Sequence, residues 1–277
     1  MTTETGAPTP SFDTEARRVP ALNGARWLAG GWRLLRQAWW QWPLLVLLAL
    51  MVHGLILNLP VASGLLTMLL MPVLGAGFGA FAQGVEQGDR RLSLLFDGFR
   101  KRPGSLALAG LITFLWLLAG VVITALVALF VVGQETLDVI SMSQSALDGQ
   151  QLLIILGLSA LFFGLTLPPT LAFWFAPLLI HANDTGAIAG LKASLRGTLR
   201  NWRALLVNGV ILSLVLFVLV ISVAVGTAVA TFITPTTLLF TLPLLGVLWL
   251  LLATWIGTTW LAAFRDLYGR QPDNQTE

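Results

Sequence analysis

The chain has 277 residues, 56% hydrophobic and 10% charged, with a mean hydropathy of +0.83. A soluble domain carries about 25% charged residues, so 16 basic and 13 acidic side chains cannot cover a water-exposed surface, and a soluble enzyme or nucleic-acid-binding domain is excluded. Cysteine is absent, which removes disulfides, thiolate nucleophiles, Fe–S clusters and zinc–thiolate sites together.

Residues 1–20 are polar, rich in Thr and Pro, and read as a disordered cytoplasmic tail. No basic segment precedes an apolar core there, so no cleavable signal peptide is expected and the first span is expected to insert as an anchor. A membrane-crossing helix needs about 20 mostly apolar residues. Six stretches qualify: 43–59, 61–83, 105–132, 152–180, 204–233 and 238–264. Asn58 and Pro60 supply the turn signal between the first two. The pattern predicts an all-α membrane domain over 21–268, with six transmembrane helices as three hairpins, followed by a short polar tail at 269–277.

Lys and Arg concentrate on the cytoplasmic side of membrane proteins. Arg17, Arg18, Arg26, Arg33 and Arg36 precede the first span, and Arg90, Arg91, Arg100, Lys101 and Arg102 follow the second. Lys192, Arg196, Arg200 and Arg203 follow the fourth, and Arg265 and Arg270 close the chain. These are all 16 basic residues; the other three connections have none, and that between spans three and four carries Glu135, Asp138 and Asp148. Six spans with both termini in the cytoplasm place every basic residue on one side.

Basic amphipathic helices are expected before spans 1, 3 and 5. In 24–42, Leu28, Trp32, Leu35, Trp39 and Trp42 form one face and Arg26, Arg33 and Arg36 the other, with Asn23 as N-cap. In 184–203, Ile188, Leu191, Leu195, Leu199 and Trp202 lie beside Lys192, Arg196, Arg200 and Arg203, with Asp184 as N-cap. A shorter version covers 89–102, with Leu92, Leu95, Phe96 and Phe99 apolar and Asp89 at its start. Such helices lie in the interface and favour anionic lipid; juxtamembrane connectors obeying the charge rule give the same pattern. Trp27, Trp32, Trp39, Trp40, Trp42, Trp202 and Trp260 read as an aromatic belt.

No Asp, Glu, Lys or Arg falls inside an expected span, which counts against proton-coupled transport and intramembrane hydrolysis. His53 and His181 sit at different depths and suit no shared metal or haem, so no cofactor is expected; His53 is expected to hydrogen-bond between helices. Gly75 and Gly79 form a GxxxG pair suited to helix packing. The surrounding glycines follow no strand, so a nucleotide-binding loop is rejected. Pro168 and Pro169, flanked by Thr166 and Thr170, are expected to break the fourth span; kinks with hydroxyls can build a mid-membrane solute site, and they are also ordinary features of membrane helices.

The stretches AFWFAPLLI (172–180), LRNWRALL (199–206), GWRLLR (31–36) and LFDGFRKRPG (95–104) carry a resemblance. Over 19–268 the chain resembles a family of multi-span inner-membrane proteins of proteobacteria, known by a locus-tag label and without an assigned activity. The resemblance implies a Gram-negative inner-membrane protein and brings no catalytic residues. The hairpin-and-helix layout is also similar to membrane domains attached to some glycerophosphodiester phosphodiesterases, but no motif of that activity is present.

The sequence therefore predicts a non-enzymatic inner-membrane protein whose partners are membrane lipids, contacted through Arg26, Arg33, Arg36, Lys192, Arg196, Arg200 and Arg203. Self-association or an unidentified membrane partner is compatible with it; a nucleic-acid partner is not. The alternative is a small-solute or lipid transporter or channel built on the fourth span.

Overall fold

The computed structural model describes residues 12–59, 62–142, 149–233 and 237–270, with the side chains of 132–142, 230–233, 237, 238, 240 and 242 left out. Among these residues the chain is helical, with one isolated antiparallel bridge between Phe12 and Gly269 and no strand ladder. The helices are α1 (Asn23–Gln37), α2 (Gln41–Leu57), α3 (Ser63–Glu86), a 3-10 turn (Leu92–Phe96), α4 (Asp97–Arg100) and α5 (Pro103–Met142). They continue as α6 (Gly149–Trp174), α7 (Ala176–Ala182), α8 (Ala187–Arg200), α9 (Trp202–Ile233) and α10 (Thr237–Tyr268). Among the described residues five apolar helical stretches are long enough to cross a membrane, and α1 with α2 makes a sixth if that pair, bent by 99°, is one span. Among the described residues the chain is helical, and its five to six long apolar helices fit the expected multi-pass membrane class.

The boundaries have local causes. α3 ends at a glycine because the chain must turn left-handed there: Gly88 has φ +83°, and the Asp89 N–H reaches back 2.8 Å to the Gly84 carbonyl. α5 opens on Pro103, whose missing N–H is no loss in a first turn. The expected amphipathic run over 24–42 divides: Ala38–Trp40 form a turn, α2 leaves at 99°, and the Trp42 indole donates 3.1 Å back to the Leu34 carbonyl.

The double proline does not break the fourth span as expected. α6 runs through Pro168 and Pro169 to Trp174, and the break falls at Phe175. Its cause is Pro177, near the start of α7, together with a better offer from α8. The Phe175 N–H donates 2.9 Å to Ser194 Oγ, and Ser194 Oγ donates 3.1 Å to the released Leu171 carbonyl. One buried hydroxyl thus pairs with two of the backbone groups that the break frees, the Phe175 N–H and the Leu171 carbonyl.

The core gathers at one end. Trp42 meets Phe81 edge-on at 4.8 Å, and Phe175 packs against Phe264 and Tyr268 at 6.1 and 5.8 Å between ring centres. α1 packs on α10 and α9, and α3 touches α2, α5 and α7. Half of α3's apolar window is buried, against 6% in α5, α6–α7 and α9, so α3 is the axis of the bundle.

Residues 12–20 correct the expectation of a disordered tail over 1–20. They run as a strap across the ends of α8 and α10, with Ala16 buried. The Asp13 and Arg17 N–H groups donate to the Tyr268 and Leu267 carbonyls at 2.8 and 2.9 Å. The Val19 N–H donates 2.9 Å to Asn201 Oδ1, whose amide returns a 3.0 Å bond to the Arg17 carbonyl. The remainder of that tail, the tail after Arg270, Pro60, and the Glu135, Asp138 and Asp148 side chains lie outside the described residues.

Candidate functional site: a basic cleft at one end of the bundle

The segments that carry the basic residues are stitched together by their own charges. Arg17 pairs with Asp266, Arg265 with Glu86 at 2.5 Å, Arg102 with Asp184 at 2.5 Å, and Arg270 with Asp13 at 2.9 Å. His181, buried, meets Asp97 at 2.9 Å and joins α7 to α4. The pre-α1 strap, both basic connections and the C-terminal end therefore share one end of the molecule.

Asp266 is the hub of that end. Its Oδ1 receives the Arg17 guanidinium, and its Oδ2 accepts from Asn23 Nδ2 at 2.7 Å and from the buried Trp27 indole at 2.8 Å. Asn23 is thus occupied by Asp266, and the residue before α1 is Leu22, which makes no side-chain cap. Asp184 is likewise no N-cap: Gly186 precedes α8, and Asp184 sits at φ +52° facing Arg102 at φ +59°. The hydrogen bond from Arg102 holds the Asp184 carboxyl below its ordinary range. Segment 89–102 forms the 3-10 turn and α4 rather than one amphipathic helix, and Asp89 accepts from the Arg91 N–H and guanidinium.

The face that α1 buries overlaps the apolar face read from the sequence only in part, at Leu28 and Leu35. Gly24, Trp27, Leu28, Gly31, Leu34 and Leu35 face inward, whereas Trp32 and Trp39 are exposed. The reason is close approach: a Cβ on Gly31 would stand 2.6 Å from the Thr259 backbone nitrogen, so only glycine lets α1 lie on α10. Trp27 and Trp42 therefore leave the expected belt for the core, and Trp260 donates 3.0 Å to the Trp174 carbonyl, while Trp32, Trp39, Trp40 and Trp202 stay exposed. The GxxxG pair divides similarly. Gly79 packs on Leu178, and Gly75 has ordinary room beside Pro177. The tight contact of α3 is at Gly77, where a Cβ would collide with the Leu95 carbonyl.

Four cavities bear on function. The largest, about 570 Å³, lies between α1, α10 and the end of α3 and is lined by Arg17, Arg26, Arg33, Arg265, Glu86 and Asp266 among others. A second, about 210 Å³, lies between the strap and α8 beside Arg196 and Arg200; Arg200 donates 3.1 Å to the Ala16 carbonyl. An apolar crevice of about 200 Å³ sits beside Pro168 and Pro169, walled by α5, α6 and α8, with Lys192 on its lining. Thr166 and Thr170 do not line it; their hydroxyls donate to the Phe162 and Thr166 carbonyls of their own helix. Another apolar crevice, about 220 Å³, includes His53, whose Nδ1 lies 3.5 Å from Thr67 Oγ1 across α2 and α3, the interhelical contact expected of it. Arg36 is exposed away from the cleft, and Arg203 lies over the Trp202 ring at 5.4 Å.

No protein-family model, curated protein or solved structure matches the chain. The resemblance to the inner-membrane family rests on its four motifs alone. In the structure FWFAP is the α6–α7 break, and GWRLLR is the part of α1 that lies on α10.

Several site residues carried no signal in the sequence. Asp266 and Glu86 were not singled out by any pattern, and Arg265 entered only as one basic residue near the C-terminus. Ser194 is one serine among the small residues of an amphipathic run.

Proposed function

We propose that the chain is an inner-membrane protein of six spans in three hairpins, with both termini in the cytoplasm, that engages anionic phospholipid through its basic helices and catalyses no reaction. Contacts between α2 and α3, α5 and α6, and α9 and α10 support the hairpins. The grouping of basic segments at one end supports the orientation.

The observation that carries the lipid reading is the exposed side of α8. The helix buries Ala187, Gly190, Leu191, Ala193, Ser194, Gly197 and Thr198. Ile188 and Leu199 remain more than half exposed, in an arc beside Lys192, Arg196 and Arg200. At about 100° per residue the apolar arc and the basic arc are adjacent. In water such a stripe would be a liability. At a bilayer surface its apolar groups reach the acyl boundary and its cations meet phosphates.

The test uses the full chain in bilayers containing spin-labelled lipids. Phosphatidylglycerol should be enriched at the protein boundary over phosphatidylcholine by about threefold or more. The preference should fall with salt and with Lys192→Gln, Arg196→Gln and Arg200→Gln together. A preference that ignores both would refute the reading. A reporter enzyme inserted within 133–150 should report the periplasm, and a cytoplasmic signal would refute the topology. The transport alternative has one supporting observation, the crevice beside Pro168 and Pro169, whose apolar lining suits an acyl chain better than a polar solute.

A further inference from the structure

The cleft on α1 has an uneven charge balance. Four guanidiniums and two carboxylates line it. Both carboxylates are occupied, Asp266 by Arg17, Asn23 and Trp27, and Glu86 by Arg265, which also donates 2.7 Å to the Ala82 carbonyl. Arg26 touches only the Asn23 side-chain oxygen, at 3.4 Å, and Arg33 has no ion-pair or hydrogen-bond partner among the described residues. Two positive charges therefore face the cavity without a counter-ion among the described residues.

Their spacing is set by the helix. Arg26 and Arg33 are seven residues apart, which returns them to nearly the same face about 10.5 Å apart along the axis. Gly30 lies between them on that face and lines the same cleft, so no side chain fills the gap. The gap is closed behind by α10: a Cβ on Gly30 would stand 3.0 Å from the Ala262 Cβ. Two guanidiniums at that spacing can close on one tetrahedral anion from both ends, each offering a planar fork of donors. A lone carboxylate offers acceptors in one plane and suits one fork. The volume, about 570 Å³, holds more than a bare phosphate. It is within the usual size of small-ligand sites.

We propose that this cleft binds a phosphate ester, with Arg26 and Arg33 gripping the phosphate across Gly30 and the Arg17–Asp266 and Arg265–Glu86 pairs forming its fixed walls. The headgroup of an anionic phospholipid is the source assigned to it, and that assignment rests on the lipid reading above. A soluble phosphate ester shares the chemistry and is distinguished by the test.

The full chain in non-ionic detergent is titrated by calorimetry with dihexanoyl phosphatidylglycerol and, separately, with glycerol phosphate. Arg26→Gln with Arg33→Gln, both exposed positions, should weaken binding by about tenfold or more. Arg26→Lys with Arg33→Lys keeps the charge without the fork and should recover less than about a third of the lost affinity. The α8 triple variant should leave the titration within about twofold, although it lowers lipid enrichment in bilayers, so the cleft and the broader lipid reading fail separately. Tighter binding of the short-chain lipid than of glycerol phosphate supports the headgroup as source. Equal binding supports the cleft as a phosphate-ester site and overturns the headgroup. The proposal is overturned if wild type binds neither probe, if the Gln pair binds like wild type, or if the Lys pair restores full affinity.

Discussion

Asp266 offers a perturbation that separates the parts of the polar hub. Its two oxygens do different work. Oδ2 serves Asn23 and the Trp27 indole, while Oδ1 serves Arg17. In Asp266→Ala the indole N–H of Trp27, a side chain 3% exposed, loses its acceptor. An orphaned buried donor costs about 1–3 kcal/mol, and the half-buried Asn23 amide adds about 1. Arg17 is 41% exposed, so its pair adds at most about 1 kcal/mol after solvent screening. The expected loss is roughly 3 kcal/mol. Asp266→Asn is different: with its amide oxygen in the Oδ2 position it keeps Asn23 and Trp27 and surrenders only Arg17, for about 1 kcal/mol or less. Unfolding of the full chain in mixed micelles, followed by fluorescence, measures both. Trypsin, cutting after Arg17 and Arg18, measures release of the strap, which should rise about two- to fivefold in Asp266→Asn while the bundle stays folded. Equal destabilisation by Asn and Ala would show that charge, and not the Oδ2 acceptor, holds α1 to α10. A loss below about 1 kcal/mol in Asp266→Ala would show that Trp27 does not depend on this acceptor.

Other contacts give sharp contrasts. Gly31→Ala pushes a methyl to 2.6 Å from the Thr259 backbone and should cost about 1–3 kcal/mol, whereas Gly75→Ala, with 3.6 Å to Pro177, should be neutral or stabilising; unfolding of the two variants side by side tests this. Ser194→Ala strands the Phe175 N–H and leaves the Leu171 carbonyl with only the longer bond from Thr198, and should cost about 1–3 kcal/mol, with faster amide exchange at Phe175. Thr198→Val should cost less, because its bond to Leu171 is longer, at 3.4 Å. The Arg102–Asp184 clamp should respond to acid. The hydrogen bond from Arg102 holds this carboxyl below its ordinary 3.8, so the clamp's contribution is present above that value and is lost as pH falls through the lower folded value. Amide exchange across 185–188 should accelerate in that window in wild type and be flat in Asp184→Ala.

The spans were legible because hydropathy reports an element that needs no partner to be recognised. Stretches expected at 61–83 and 204–233 became α3 and α9 with shifts of a few residues. Faces were less legible, because in this chain small residues decide them. A hydrophobicity pattern groups Trp32 and Trp39 with Leu28 and Leu35 on one apolar face, but it does not say which side packs on the bundle; Gly24 and Gly31 set that side, since helices in a membrane associate by close backbone approach more than by burying the largest apolar groups. Of the expected pair in α3, Gly79 does make a close contact, with Leu178, but the tightest approach is at Gly77, which the spacing did not single out. Breaks were misplaced for a different reason. Pro168 and Pro169 sit where the helix absorbs them, and the break at Phe175 depends on Ser194 from a helix 19 residues later. Of the expected lipid-contact residues, the structure brings Arg26 and Arg33 into one cleft and Arg196 and Arg200 into another, and leaves Arg36 and Arg203 outside both.

The distribution of packing bears on where function can reside. In lipid an exposed leucine carries no hydrophobic penalty, so a span does not need to be covered by its neighbours. α5, α6 and α9 follow that logic, each with a largely uncovered apolar window. The opposite holds at the basic end, where hydroxyls, amides and charges must be paired wherever they leave water. There Asp266 joins the tip of α10 to α1 and the strap, Asn201 joins the strap to the end of α8, and Ser194 joins α8 to the α6–α7 break. Asn201 alone holds the strap at two points. The interlocked part of the molecule is therefore the end that carries its cations. Arg26 and Arg33 project from that end with no counter-ion among the described residues, a placement that suits recognition of an anion better than movement of a solute through the bundle.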